Sequence, residues 1–344
     1  MREETDVPLG PLTTLRLGGP ARRLVTVDSD ADLVEAAADG DALLLAGGSN
    51  VVIADEGFPG TVVRVATRGV EVSWRTGRVR VEAAAGEDWD SLVSRTVDER
   101  LAGFECLSGI PGSVGATPIQ NVGAYGQEVA RTIVSVRAYD RAAGEVVDLA
   151  PAECGFAYRS SRFKHADRGR FAILRVTYEL ERSKVSAPVG YAELARALGL
   201  HLGDKAPLAE VREAVLALRR GKGMVLDAGD PDSVSAGSFF TNPILDGEAF
   251  AELERRAGHP PPRWPEDGGR VKTSAAWLIE RAGFHRGHGD GAIGLSRKHA
   301  LAIVNRGGGT TAELVALARE LRDGVRERFG IALEPEPALI GVSL

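Results

Sequence analysis

The chain has 344 residues, too many for one simple core, and its 44% hydrophobic and 26% charged side chains are the balance of a folded globular protein. A net charge of −6, with 42 basic and 48 acidic residues interspersed, argues against a nucleic-acid binder, and no apolar run reaches the length of a membrane span. The opening MREETDVPLG has neither a basic n-region nor an apolar h-region, and Cys106 and Cys154 lack a CxxC or a ligand-spaced histidine. A cytoplasmic chain with reduced structural thiols and no metal site is expected.

In chain order, LRLGG (15–19) and RRLVTV (22–27) have strand character, DADLVEAAAD (30–39) reads as a helix, and ALLLAGGSNVVIA (42–54) as strand–turn–strand. The turn Gly47, Gly48, Ser49, Asn50 follows a buried strand, where α/β proteins often bring phosphates to backbone amides; a plain tight turn is the alternative. From Val70 to Leu180 the pattern is mostly period two, in VRVEAAAG, IVSVRAYD, GEVVDLA and FAILRVTYEL, with RAAG as a hairpin connection and one helix from Asp88 to Leu101. Beyond Pro188 the pattern is helical, with Leu208, Val211, Val215 and Leu218 on one face of a helix ending in RRGKG. Further helices are expected at Glu248–Ala257, Ser274–Ala282 and Thr311–Phe329, the last with a Thr310/Glu313 capping box. HPPPRWPEDGG (259–269) reads as a loop and IALEPEPALIG as extended.

The most informative stretch is GIPGSVGATPIQNVGAYG, Gly109 to Gly126. Glycines at 109, 112 and 115 leave backbone N–H groups uncovered and permit positive φ, which makes a concave anion site. Gln120 and Asn121 add amides that both donate and accept, as a heteroaromatic ring edge requires. Ile110, Val114, Ile119 and Val122 are residues of buried type, which favours a cofactor loop over a surface loop. Three further clusters are the basic and aromatic YRSSRFK (Tyr158–Lys164), GSFFTNP with Ser238 beside two phenylalanines, and LEPEP with Glu334 and Glu336. Each also has a plain reading, as surface ion pairs, a turn serine and a solvated tail. No GxGxxG, phosphate loop, GxSxG or HExxH occurs, and GFHRGHGDG reads as a polar loop rather than a metal site.

Taken in order, GGSN, GIPGSVGATPIQNVGAYG, YRSSRFK, GSFFTNP and LEPE resemble the UDP-N-acetylenolpyruvoylglucosamine reductases, flavoenzymes of peptidoglycan precursor synthesis, over nearly the whole chain. Tyr191 in GYAEL resembles the subtype that keeps a substrate-binding tyrosine. The resemblance implies a three-domain α+β fold: an FAD-binding unit of the vanillyl-alcohol-oxidase type (PCMH-like) at 1–67 and 68–223, a substrate-binding domain at 224–331, and a tail, 332–344, that rejoins the first domain. The implied FAD contacts are Gly47, Gly48, Ser49 and Asn50, then Gly109, Ile110, Pro111, Gly112, Gly115, Ala116, Gln120, Asn121, Gly123, Ala124 and Tyr125.

The implied reaction is reduction of the enolpyruvyl ether of UDP-N-acetylglucosamine to UDP-N-acetylmuramate, with NADPH as reductant, hydride transfer from FAD and a serine proton donor. Ser238, Arg159 and Glu336 fall on the implied catalytic positions, and Tyr191, Arg219, Lys222 and Asn242 on substrate positions. Trp264 lies where relatives carry an aromatic residue, and His299 where a glutamine is usual. The family often has an arginine at the position of Ala338, so a contact there is missing or supplied elsewhere, as by Arg297 or Lys272. The implied partner is a small-molecule sugar nucleotide, bound by a monomer without nucleic acid or membrane. Two other readings are a flavin oxidase acting on an alcohol or amine, and a non-catalytic flavin or sugar-nucleotide binder. GSFFTNP and LEPE speak against the first; the presence of Ser238, Arg159 and Glu336 together speaks against the second.

Overall fold

A computed structural model describes residues 1–75 and 77–344. The chain forms two compact units: Met1–Val7, Ala21–Gly48 and Phe58–Val225 make the first, and Pro8–Pro20, Ser49–Gly57 and Leu226–Leu344 the second. No helix among the described residues is long and apolar enough to cross a membrane.

The first unit holds two sheets, one on each side of position 67. In the smaller, Pro20–Val27 and Leu43–Leu45 run parallel on either side of Phe58–Val65, with Arg2–Pro8 at the edge. Helix α1 (Asp30–Ala37) starts where the Ser29 hydroxyl accepts the Asp32 N–H, and it buries Leu33 and Ala37. The larger sheet is antiparallel, in the order Glu145–Leu149, Ile133–Asp140, Phe171–Arg182, Arg78–Ala84, Val70–Arg75, with Leu101–Ala102 also paired to Phe171–Arg182. Helix α2 (Trp89–Asp98) lays Trp89 against Phe104, which meets Tyr178 edge-on, each pair of ring centroids 4.9 Å apart. Helices α3 (Ala192–Leu198) and α4 (Leu208–Gly221) pack together through Leu194, Ala195, Val211 and Val215.

In the second unit, α5 (Gly247–Ala257), α6 (Ala275–Arg281) and α7 (Thr311–Phe329) surround a core that includes Phe239, Phe240, Leu253, Leu278 and Leu321. The expected capping box opens α7, and the Asp55 carboxylate accepts the Thr311 and Ala312 N–H groups as well. The C-terminal strand Ala338–Ile340 runs parallel to Val51–Ile53.

Several expectations are corrected. LRLGG is not a strand: Gly10 and Leu9 donate to the carbonyls of Gly18 and Gly19, closing a loop in which Arg16 and Gly18 have φ of 53° and 125°. Leu15 and Leu17 are buried, so their alternation reflects anchoring of a loop rather than a pleat. ALLLAGGSNVVIA does form two strands, Leu43–Leu45 and Val51–Ile53, and they belong to different units. Helix α2 ends at Asp98, before a left-handed Arg100 at φ 61°, and Leu101 belongs to a strand. Ile119 is exposed.

RAAG forms the expected hairpin turn, with Asp140 opposite Glu145. The Asp140 carboxylate accepts the Ala142 and Ala143 N–H groups and pairs with Arg170 at 2.6 Å. Arg170 holds that carboxyl down to about 2. Its stabilisation is therefore complete above the unfolded carboxyl value of about 3.9 and is lost as pH falls through 2. Asp140→Ala should lower unfolding free energy by about 1–3 kcal/mol at pH 7 in urea titrations, with the gap to wild type closing between about pH 4 and 2. An unchanged gap across that range would contradict the role given to the carboxylate.

Candidate active site

The loop 109–126 is fastened to the larger sheet at close quarters. A Cβ on Gly115 would lie 2.6 Å from the Ala85 Cβ, and Thr117 shares a 2.8 Å hydroxyl hydrogen bond with the buried Tyr178. Gly109, at φ 71°, donates to the Asp90 carboxylate at 2.6 Å, and Arg212 forks the same carboxylate at 2.6 and 2.9 Å. Burial alone would raise the Asp90 carboxyl; Arg212 and the Gly109 N–H outweigh it and hold it below the usual range.

Gly47 and Gly112 meet backbone to backbone, since a Cβ on Gly47 would lie 2.6 Å from the Gly112 Cα and 3.2 Å from the Ser113 nitrogen. Among the described residues, the N–H groups of Gly47, Gly48, Gly112 and Ser113 donate to no protein acceptor, and the buried Ser113 hydroxyl has no partner. Ser113, between Gly112 and Val114, carries no sequence signal that would single it out as a candidate. Ile110, Pro111, Ala116 and Gln120 are half-buried along the same loop.

Gln120 and Asn121 differ in what surrounds them. Asn121 is buried at φ 45°, donates to Glu128 and to the Ala157 carbonyl at 3.1 Å each, and accepts the Ala130 N–H. Both of its amide hydrogens are committed inside the protein, contrary to the ring-edge contact expected of its side chain. Gly123 leaves no room for a side chain, with Glu128 Cγ 2.7 Å from the position of a Cβ, and its carbonyl accepts Arg159 Nη2 at 2.6 Å. Arg159 itself is left-handed at φ 50°, and the Ser161 hydroxyl ties YRSSRFK to the Ile119 carbonyl.

After Ala124 the chain reaches Tyr125, whose ring meets Tyr191 edge-on at 5.4 Å and carries Lys222 Nζ at 5.7 Å from its centroid. Lys222 also pairs with Glu193 at 2.6 Å. Arg219, from the last turn of α4, donates to the Met224 carbonyl while its buried Nε has no partner among the described residues. Burial pulls its guanidinium down to about 10 and pushes the Tyr125 hydroxyl up to about 12. Arg159 adds repulsion at Arg219. Buried positive charge with an orphaned donor is a receptor for an anion.

The second unit brings two other clusters side by side. Glu336 donates its N–H to the Phe239 carbonyl at 2.8 Å, and Thr241 donates to the Glu334 carbonyl at 3.0 Å, so the segments bearing Ser238 and Glu336 pair. Asn50 joins them, donating to the Glu336 carbonyl and accepting the Ala338 N–H. Phe239 donates to the Leu301 carbonyl, from the same turn as His299. Asn242 accepts the Ala275 N–H at the start of α6, and the adjoining short strands hold the exposed Trp264 opposite Lys272, which pairs with Glu266. Arg297 is exposed. Among the described residues no group of acidic, histidine or cysteine side chains is arranged to hold a metal, and both cysteines are buried and free.

Residues 230–340 match the domain described as UDP-N-acetylenolpyruvoylglucosamine reductase, C-terminal domain, and residues 21–150 match an FAD binding domain. A UDP-N-acetylenolpyruvoylglucosamine reductase of Thermobifida fusca is 57% identical over 98% of both chains. The chain belongs to this family. The enzyme of the same name from Streptomyces coelicolor is 55% identical over 100% of this chain and 92% of its own. The crystal structure of the Thermus caldophilus reductase shares 25% identity and covers 98% of each chain with a TM-score of 0.67. The fold class is α+β, an FAD-binding unit of the PCMH-like type followed by the family's C-terminal domain.

Gly47→Val should preserve far-UV circular dichroism yet reduce the flavin retained on purification at least tenfold, because a branched Cβ would drive Gly112 from the loop. A Gly47→Val protein with stoichiometric flavin would contradict the tight approach as a binding feature.

Proposed function

We propose that this chain reduces UDP-N-acetyl-3-O-(1-carboxyvinyl)-glucosamine to UDP-N-acetylmuramate for peptidoglycan precursor synthesis, using NADPH, as a cytoplasmic monomer. The observation that carries this reading is the pairing of the Ser238 and Glu336 segments, in a chain of this family. FAD fits the residues present: the unpartnered amides of Gly47, Gly48, Gly112 and Ser113, with the orphaned Ser113 hydroxyl, suit a diphosphate. Ser49, Asn50 and the loop from Gly109 to Tyr125 are assigned to the same cofactor, Asn121 through its backbone. In this reading 1–67 and 68–223 are the cofactor subdomains, 224–331 binds substrate, and the tail 332–344 returns to the first.

When bound, FAD would supply hydride chemistry, with NADPH as its reductant. Addition at the vinyl CH2 carbon drives electrons into the adjacent carboxylate, giving an aci-carboxylate dianion. Arg159 is assigned the cation that offsets this charge, and Glu336 is assigned the family's catalytic glutamate. Ser238 delivers its proton to the carbon that bears the carboxylate, which completes addition of hydride and proton across the double bond. Tyr191, in the manner of the tyrosine-retaining subtype, Arg219 and Lys222 are assigned to the nucleotide, and the orphaned Arg219 Nε supports an anionic ligand there. Asn242, Trp264 and His299 are assigned further substrate contacts. The exposed Arg297 remains the candidate to supply the cation missing at Ala338, since Lys272 is engaged by Glu266.

Ser238 acts only after hydride has been transferred, so the two half-reactions separate its role. Ser238→Ala should leave flavin reduction by NADPH near wild type and slow reoxidation by the enolpyruvyl substrate by on the order of a thousandfold in stopped-flow absorbance. Ser238→Cys should keep more of the second step, because a thiol still donates. Equal slowing of both half-reactions would make Ser238 a structural residue.

A further inference from the structure

We infer that Asn121 is a positioning residue for Arg159, acting on the turn that presents the guanidinium; this rests on the reductase reading above. Arg159 is the third residue of a tight turn from Ala157 to Ser160, in which each end donates its N–H to the other's carbonyl at 3.0 and 3.1 Å. The turn puts an arginine at φ 50°, a left-handed conformation that costs a non-glycine side chain about 1–3 kcal/mol and persists only where surroundings fix it. Asn121 supplies that fixing. Its Nδ2 donates to the Ala157 carbonyl, and the same nitrogen donates to Glu128, while its Oδ1 accepts the Ala130 N–H. The residue is 2% exposed, and its φ of 45° is one that asparagine tolerates.

The guanidinium is aimed from a second point two residues along. Arg159 Nη2 donates to the Gly123 carbonyl, and a Cβ on Gly123 would lie 3.1 Å from Arg159 Nη1. Asn121 thus fixes one end of the arginine through the Ala157 turn and, through the short chain to Gly123, the other. A residue in this place affects the reaction only by way of Arg159. Its side chain is not required for holding flavin.

The test is a double-mutant cycle on reoxidation of the reduced enzyme by the enolpyruvyl sugar nucleotide, measured per bound flavin. Asn121→Asp keeps size, left-handed tolerance and the acceptor for Ala130, but removes both amide hydrogens and sets a second carboxylate against Glu128, a charge that Asn121→Gly does not add. It should slow reoxidation about a hundredfold, the effect of a misplacement of about 1 Å. On an Arg159→Lys background the same change should cost less than threefold. Asn121→Gly, which relaxes the backbone, should behave like Asn121→Asp. Equal losses on both backgrounds, no loss on either, or flavin-free protein from both Asn121 variants would overturn the assignment. A crystal structure of Asn121→Asp reads the arrangement without turnover: the guanidinium leaves the Gly123 carbonyl if the inference holds and stays if it does not. Failure of the reductase reading has a different mark, wild-type reduced enzyme that the substrate does not reoxidise.

Discussion

The contact on which the candidate cofactor loop depends is the approach of bare backbone to bare backbone. Gly47 stands against the Gly112 backbone in this way, and Gly115 lies as close to the Ala85 methyl and main chain, at distances where any side chain would collide. Around these contacts the N–H groups of Gly47, Gly48, Gly112 and Ser113 have no protein acceptor among the described residues and remain available to a ligand. The loop cannot relax toward other partners, because Thr117 and Gly109 are tied to Tyr178 and Asp90. Rigidity and unmet hydrogen-bonding capacity coexist, which is what preorganised binding requires.

Charge is handled on the same principle. Asp90 is satisfied from two sides and stabilises the fold, whereas Arg219 is buried with a nitrogen left over and lowered basicity. The first pattern is structural and the second receptive. Lys222 lies between them, half exposed and paired with Glu193, an arrangement worth little by itself. In the second unit two extended segments pair through main-chain hydrogen bonds, which bring the stretches that carry Ser238 and Glu336 side by side.

Much of this was legible in the residues. Period-two runs in FAILRVTYEL and IVSVRAYD became neighbouring strands, and Thr310 with Glu313 capped a helix of the expected bounds. Local rules succeed there because local and tertiary preferences agree. LRLGG misled because burial of alternate leucines has the same signature in an anchored loop as in a strand. Asn121 stands out in the sequence as a candidate, but the partners of its amide, Ala157 and Glu128, come from the fold rather than from its neighbours in sequence. Ser113 gave no signal of its own; only the accounting of buried donors reveals it.

The central claim is that the Ser238–Glu336 pairing serves reduction of an enolpyruvyl sugar nucleotide. Flavin absorbance after anaerobic mixing of the reduced wild-type protein with UDP-N-acetyl-3-O-(1-carboxyvinyl)-glucosamine tests it most directly. The account predicts full reoxidation with one equivalent of UDP-N-acetylmuramate formed per flavin, and no reoxidation by UDP-N-acetylglucosamine, which lacks the double bond. Flavin that stays reduced with the enolpyruvyl compound, or is reoxidised by both, would contradict it.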